Sequence, residues 1–444
     1  MISLIFILMM ASSCKKFLEE KPDDKLVVIS TSNDMQALLD NHPKMSFSDQ
    51  AVSEISADSY YMTDAVFNAR KETERNQHIW APANVFEPQF NAWTDTYAAI
   101  YIANLVLERA DALEGGIADK NALNLVRAQA RFHRARQFLN ALAVWAPEYN
   151  PATAEKDAGI PLRMDPDFNL PSKRSSVSES YQAVLTDLKA ALPYLPLQTI
   201  NTLRPSKAAG YGLLARTLLY MENYNEASAY ADSCLAIKSV LVDFNKLNPA
   251  LSYPIAKPNA EIIFESKMVS AGQILQSRCF IHPELYALYG DNDLRKTIYF
   301  QKNTIDYVFK GNYEGDGSFF NGIAVDEMLL IRAECRARTN QLAESMADLN
   351  LLRKSRIRAA QYEPLQAGTA VEALALIKKE RRMELLFRGL RWMDIKRWNA
   401  EGDQIMLSRK QNQVLFTLAP NDLRYAVAIP EDIIELSGMQ QNPR

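Results

Sequence analysis

The chain has 444 residues, 48% of them hydrophobic, enough to bury a large core in one extended helical domain or two to three ordinary ones. Fifty Lys and Arg are balanced by 53 Asp and Glu for a formal charge of −3, so there is no global basic field of the kind that drives binding to nucleic acid. Fifteen glycines are well below the usual ~7%, which favours helix over an all-β sandwich or barrel with its many Gly-rich turns.

The N-terminus opens with Ile2 to Met10, a nine-residue uncharged run that is apolar but for Ser3. A bilayer span needs about 20, so the run reads as the apolar region of a secretory signal rather than a transmembrane helix. Ala11-Ser12-Ser13-Cys14 resembles a bacterial lipobox, in which cleavage before the cysteine leaves a diacylglycerol-modified thiol on Cys14. Residues 1–13 are then the signal peptide, and the charged, proline-containing residues 14–25 a tether between lipid and globule. With Cys14 acylated, Cys234, Cys279 and Cys335 remain, an odd number that cannot close a disulfide framework.

Apolar spacings of three and four predict helices over Trp93–Leu113, Ala122–Trp145, Val177–Leu195, Lys207–Ile237, Val325–Arg356 and Val371–Phe387. Two of these share a small-residue pattern. Ala215, Ala227 and Cys234 are matched by Ala333, Ser345 and Leu352 at the same steps, with breaks near Asn223 and Asn340. Small residues at the first two positions let paired helices approach closely, as in tetratricopeptide packing. Between the helices lie three irregular segments, about 40–91, 147–176 and 241–321, each too long for a simple connection. Aromatic residues crowd the first and the third.

Residues Arg381 to Trp398 concentrate six basic side chains, two acids and two tryptophans. Leu376, Met383, Leu386, Phe387 and Leu390 share one helical face, and Glu380 and Glu384 are one turn apart beside arginines. Gly389 reads as a helix stop, with a short second helix from Leu390 to Trp398. The strip is expected to be a charged helix junction of the scaffold, not a nucleic-acid or catalytic surface.

Many short motifs, in one order over almost the whole chain, resemble the SusD/RagB family of nutrient-binding lipoproteins. They begin with Cys14 followed by FLEEKPDD, then Trp93-x3-Tyr97-x2-Ile100-x2-Ala103-Asn104 and Phe132-His133-Arg134-Ala135. Gly159-Ile160-Pro161-Leu162, the helix ending DLKAALPYLP, and Asn259 to Phe264 follow. Met328 to Glu334, Leu349 to Arg353, the 381–398 strip, Ile429-Pro430 and Gln441-Asn442-Pro443 complete the series. The sequence departs from the family pattern at Arg388, where an acid is usual, and at Arg444.

The resemblance implies an all-α, tetratricopeptide-like helix-pair scaffold forming one domain over residues 26–444, with long irregular loops as the ligand face. It also implies a lipid-anchored protein on the outer face of the outer membrane. Its partners would be a SusC/RagA-type TonB-dependent transporter and a glycan, with no catalysis, cofactor or metal. Sugars pair apolar C–H faces with a rim of hydroxyls, so flat aromatics beside amides and carboxylates suit them. Trp80 is the leading candidate, then Tyr60, Tyr61, Phe86 and Tyr313, with Asp58, Asn84 and Asn312 as polar partners; Trp93, Tyr97 and Trp145 are assigned to the core.

Two other classes compete. A secreted glycoside hydrolase would need paired carboxylates at about 5 or 6.5–9.5 Å, and a helical-repeat lipoprotein would bind peptide or protein in a groove. No catalytic motif appears, and His42, His78, His133 and His282 lack metal-ligand spacing. Asp291-Asn292-Asp293 and Asn312 to Asp316 are oxygen-rich without the spacing of a calcium loop, and read as turns.

Overall fold

A computed structural model describes residues 29–116 and 119–444. The signal sequence, Cys14 and the 14–25 tether lie outside them. The structure is mainly helical, and its major helices fall where the apolar periodicity placed them, except for Ser32–Leu39 and Glu431–Ser437, which were not singled out in the sequence. They are α1 (Ser32–Leu39), α2 (Ala92–Ala112), α3 (Lys120–Trp145), α4 (Val177–Ala191), α5 (Lys207–Tyr220), α6 (Tyr224–Ile237), α7 (Val325–Arg338), α8 (Leu342–Lys354), α9 (Ala370–Glu384), α10 (Arg391–Ala400) and α11 (Glu431–Ser437). Among the described residues no helix is long and apolar enough to cross a membrane.

Local chemistry fixes the helix starts. Asn91 caps α2 through Trp93 N at 3.0 Å and Thr94 N at 3.1 Å, and Ser176 and Glu179 form a capping box on α4. The expected break near Asn223 falls at Glu222, with φ +60°, and the second at Asn340, with φ +59°. Both lie in the left-handed region that turns one helix back on the next.

Consecutive helices pack as pairs, α2 on α3, α5 on α6 and α7 on α8, and α6 packs on α7 to join the last two pairs. The small-residue match explains the close approach. Ser345 Oγ donates to Ala333 O at 2.7 Å across the α7–α8 contact, and Ala215, Ala227 and Cys234 are fully buried. Gly212 of α5 admits Ile323, since a Cβ there would lie 2.7 Å from Ile323 Cγ2. This is the tetratricopeptide-like scaffold.

The three segments expected to be irregular are folded. The first holds short helices at His42–Met45, Val52–Ile55, Asp64–Asn68 and Glu72–His78; the third holds two more and several strands. The described strands form two-stranded antiparallel pairs. Tyr60–Tyr61 pairs with Phe280–Ile281, Ala158–Pro161 with Arg174–Ser176, and Phe300–Lys302 with Tyr307–Phe309. A second core, separate from that of the helix pairs, gathers Tyr60, Phe67, Tyr289, Tyr299, Phe309, Tyr313 and Phe320. Half of the aromatics of the first and third segments are there because segments this long must bury apolar surface to hold a shape.

Residues 381–398 are the helix junction. Asp394 accepts from Arg381 Nε at 2.7 Å and Arg397 Nε at 3.0 Å, while Arg397 Nη2 reaches Glu334 on α7 at 2.7 Å. Arg391 forks onto Asp58, and Lys396 donates to Ala146 O at 2.6 Å. These basic groups are buried, so none offers phosphate a landing site.

Candidate functional site

The expected ligand residues divide sharply by environment. Trp80 is 5% exposed, donates from Nε1 to Ser56 O at 2.9 Å, and carries the Arg409 guanidinium 4.6 Å above its ring. Tyr60, on the other side of Arg409 at 4.9 Å, bonds Ile55 O and His78. Phe86 packs against Trp145, and Tyr313 donates to Glu261 and Asp326 inside the second core. Asn312 is buried and accepts from Phe320 N at 3.1 Å. The expectation of an open platform built on Trp80, Tyr60, Phe86, Tyr313 and Asn312 is therefore corrected, because their rings and amide are consumed by packing and internal hydrogen bonds.

Asp58 is spent as well. Arg391 meets it at 2.8 and 2.9 Å and Arg382 at 3.0 Å. Burial opposes its ionisation, but these guanidinium groups overcome that penalty and hold its carboxyl well below the usual range. Asn84 stays on the surface in a left-handed turn, φ +54°, with its backbone N–H on Glu431 at 2.7 Å.

Tyr61 is the aromatic candidate that remains at a usable surface. The pairing of strand Tyr60–Tyr61 with Phe280–Ile281 places it beside Phe280, ring centroids 5.4 Å apart. Its hydroxyl donates to Asp306 Oδ2 at 2.8 Å. Desolvation and the neighbouring carboxylate push that phenol up to about 12, so it stays a neutral donor. Asp306 also accepts from Tyr307 N at 2.8 Å, which fixes the start of strand Tyr307–Phe309. Tyr307 then stacks on Tyr286 at 3.9 Å and 16°. Lys296 and Lys302 sit over the outer tyrosines at 5.6 and 6.0 Å.

The first and third segments thus meet in a patch of three half-buried tyrosines, one carboxylate and two lysines. Flat apolar faces beside charged hydrogen-bonding groups are what a sugar ring requires. Asp306, Tyr286 and Tyr307 were not singled out in the sequence. The available signal was hairpin spacing, with Phe300 to Lys302 and Tyr307 to Phe309 flanking the turn residue Asn303. Nearby chain also meets at a smaller cleft of about 200 Å³, where Phe86 and Phe90 face Gln273; Gln273 Nε2 bonds Gln77 Oε1 at 3.0 Å.

Among the described residues, one group of acids has metal-ligand spacing, namely Glu261, Asp326 and Glu384, whose carboxylates lie within 4.8 Å. Arginines already neutralise it. Arg356 bonds Glu261 at 2.8 Å and Glu384 at 2.7 Å, Arg388 bonds Asp326 at 3.0 Å, and Arg295 bonds Glu384 at 2.8 Å. Asp293 is likewise held in the fork of Arg295.

A stack of antiparallel helix pairs with an aromatic patch on intervening segments defines a tetratricopeptide-like class of binding scaffold. Two family models match in succession: one described as "Starch-binding associating with outer membrane" over residues 16–219, and one for the SusD family over residues 293–432. The chain belongs to the SusD/RagB family.

Solved structures share the fold at low identity. A SusD superfamily protein from Bacteroides thetaiotaomicron has TM-score 0.77 at 19% identity, covering 93% of this chain and 100% of its own. A SusD-like carbohydrate binding protein from Bacteroides vulgatus has TM-score 0.70 at 18%, covering 92% and 96%. A SusD superfamily protein from Bacteroides fragilis has TM-score 0.72 at 18%, covering 93% and 99%. No curated protein matches the chain.

Proposed function

We propose that this protein is a non-enzymatic surface receptor that captures an oligosaccharide and delivers it to a TonB-dependent outer-membrane transporter. The observation that carries the proposal is membership of the SusD/RagB family, with a matched model described as starch-binding and outer-membrane-associated. In this reading residues 1–13 are a signal peptide, Cys14 bears the lipid, residues 14–25 are a tether, and residues 26–444 form one binding domain on the cell exterior. The glycan lies on Tyr61, Tyr286 and Tyr307, with Asp306, Lys296 and Lys302 addressing its hydroxyls. A binding role needs affinity and orientation without a poised acid or base, and these side chains supply that.

Native affinity electrophoresis of the chain lacking residues 1–14, through gels containing different polysaccharides, tests the proposal. Retardation in one glycan, weakened by Tyr307→Ala, is the expected result. Release of reducing sugar from the retarding glycan would instead make the protein a hydrolase. Mobility unchanged in every gel would remove glycan capture.

A further inference from the structure

A second opening is built from elements that take no part in the tyrosine patch. The connection from α4 to α5 turns back against the end of α6 and the strand Ile262–Phe264, leaving a cleft of about 620 Å³. That is the size of a small-molecule site. Leu197 and Ile237, 62% and 37% exposed, form aliphatic walls above the buried Ala208 and Ile263. The polar lining consists of Gln198, Thr199, Asn201, Thr202 and Ser206, all neutral, and one cation, Lys238. Among the described residues no acid lines the cleft.

Lys238 follows the last turn of α6, is half-buried, and donates from Nζ to Ile262 O. Burial holds its ammonium below the ordinary lysine value, and no carboxylate opposes that shift. Among the described residues the carbonyl is its one acceptor, so two of its three N–H bonds are left over. A charge drawn out of water is normally matched by an opposite one. Here the match is missing. Arg204, at the end of the same connection, shows the ordinary arrangement, with Nε on Asp40 at 3.0 Å.

The neutral side chains are fixed in place and keep part of their hydrogen-bonding capacity. Asn201 Oδ1 accepts from Leu203 N at 3.0 Å and Arg204 N at 3.2 Å, which leaves the amide nitrogen of Asn201 as a donor. Thr199 Oγ1 donates to Asn201 O at 2.6 Å and Thr202 Oγ1 to Glu265 Oε2 at 3.1 Å, so both hydroxyls present lone pairs. Glu265 N donates to Thr202 O at 2.8 Å and Lys207 N to Pro196 O at 2.7 Å, which ties the connection down at two points. A ligand therefore has little ordering to impose.

We infer that this cleft is a second ligand site, for a small hydroxylated molecule carrying one anionic group, of the sugar-acid or sugar-phosphate kind. The anion meets Lys238 and the Asn201 amide, its hydroxyls meet Thr199 and Thr202, and its C–H face lies on Leu197 and Ile237. A neutral sugar would leave the lysine charge unmatched, and an apolar molecule would strand the amides and hydroxyls as well. The site stands independently of the surface-receptor reading.

Isothermal titration of the full-length chain in detergent with sodium glucuronate, glucose 6-phosphate and glucose tests the inference. At least one of the two anions should bind with a Kd at least tenfold below that of glucose, and which of them does so separates carboxylate from phosphate. Lys238→Gln removes the charge and should abolish the preference. Asn201→Asp keeps the oxygen that Leu203 and Arg204 require and replaces the amide donor with an anion, so it should weaken anion binding at least tenfold at an unchanged melting temperature. No binding of either anion, equal binding of glucose, or full anion affinity in Asn201→Asp would overturn the inference. Loss of retardation in glycan gels by either variant would overturn it too, since the cleft would then belong to the glycan site; Tyr307→Ala tests that site separately.

Discussion

Tyr61 and Asp306 are 245 residues apart in the chain and 2.8 Å apart in space, hydroxyl to carboxylate. This bond links the first and third segments at the surface and sets Asp306 between Tyr61 and Tyr307. Tyr61→Phe removes the donor and keeps the ring. It should leave stability within about 1 kcal/mol, as for an ordinary surface hydrogen bond, and weaken glycan binding. Tyr307→Ala removes half of the Tyr286–Tyr307 stack and should cost about 1–2 kcal/mol, or roughly tenfold in Kd. Isothermal titration with the retarding glycan measures both; unchanged Kd in both variants would move the site elsewhere.

Trp80 behaves differently. Its ring and that of Tyr60 enclose the Arg409 guanidinium, which also donates to Ile55 O at 2.8 Å. Trp80→Ala opens a cavity and unseats a buried cation, a combination expected to cost about 3–5 kcal/mol of stability. Denaturant unfolding should show the loss directly. A Trp80→Ala protein as stable as the parent but deficient in glycan binding would restore Trp80 as a ligand residue.

This contrast marks where the sequence was legible. Helices announce themselves locally, through apolar steps of three and four, caps at Asn91 and Ser176, and breaks at Glu222 and Asn340, so the scaffold could be read residue by residue. The burial of an aromatic in the first or third segment depends on partners on other elements, from 13 residues away for Tyr313 and Asp326 to more than 300 for Trp80 and Arg409. Tyr313 faces Glu261 and Asp326 while Tyr307 faces solvent, yet both lie in one aromatic-rich stretch with no local period separating them. Asp58 looked like a sugar partner for the same reason; its arginines, Arg382 and Arg391, arrive from the far end of the chain.

The helix junction makes a prediction of its own. Asp394 is the carboxylate that pairs with the buried Arg381, and it also receives Arg397. Asp394→Asn keeps the shape but leaves the buried Arg381 guanidinium without its anion, while Arg397 retains Glu334. The expected cost is about 3–5 kcal/mol, read from the denaturant midpoint. Lys379→Ala, on the outward side of α9, should stay within about 0.5 kcal/mol. Equal effects would contradict the scaffold role of this strip.

Glu54 couples the junction to pH. It is fully buried, and burial pushes its carboxyl up to about 7, against the lowering effect of Gly389 N–H at 3.0 Å; Asp58 raises it further. A carboxyl whose folded pKa exceeds its unfolded value near 4.5 binds its proton more tightly in the native state. Its stabilising contribution is complete below about 4.5 and is lost as pH rises toward 7, with a ceiling of about 3 kcal/mol. Glu261, also pushed up to about 7 by burial, acts in the same window, so native stability should decline from pH 5 to pH 8. Glu54→Gln holds the neutral state at every pH and keeps an acceptor for Gly389. It should raise stability at pH 8 by about 1–3 kcal/mol, with little change at pH 4.5, and flatten the decline without abolishing it. Urea unfolding of both proteins across this range decides the matter; parallel curves would show that Glu54 is ionised in the native state at pH 5.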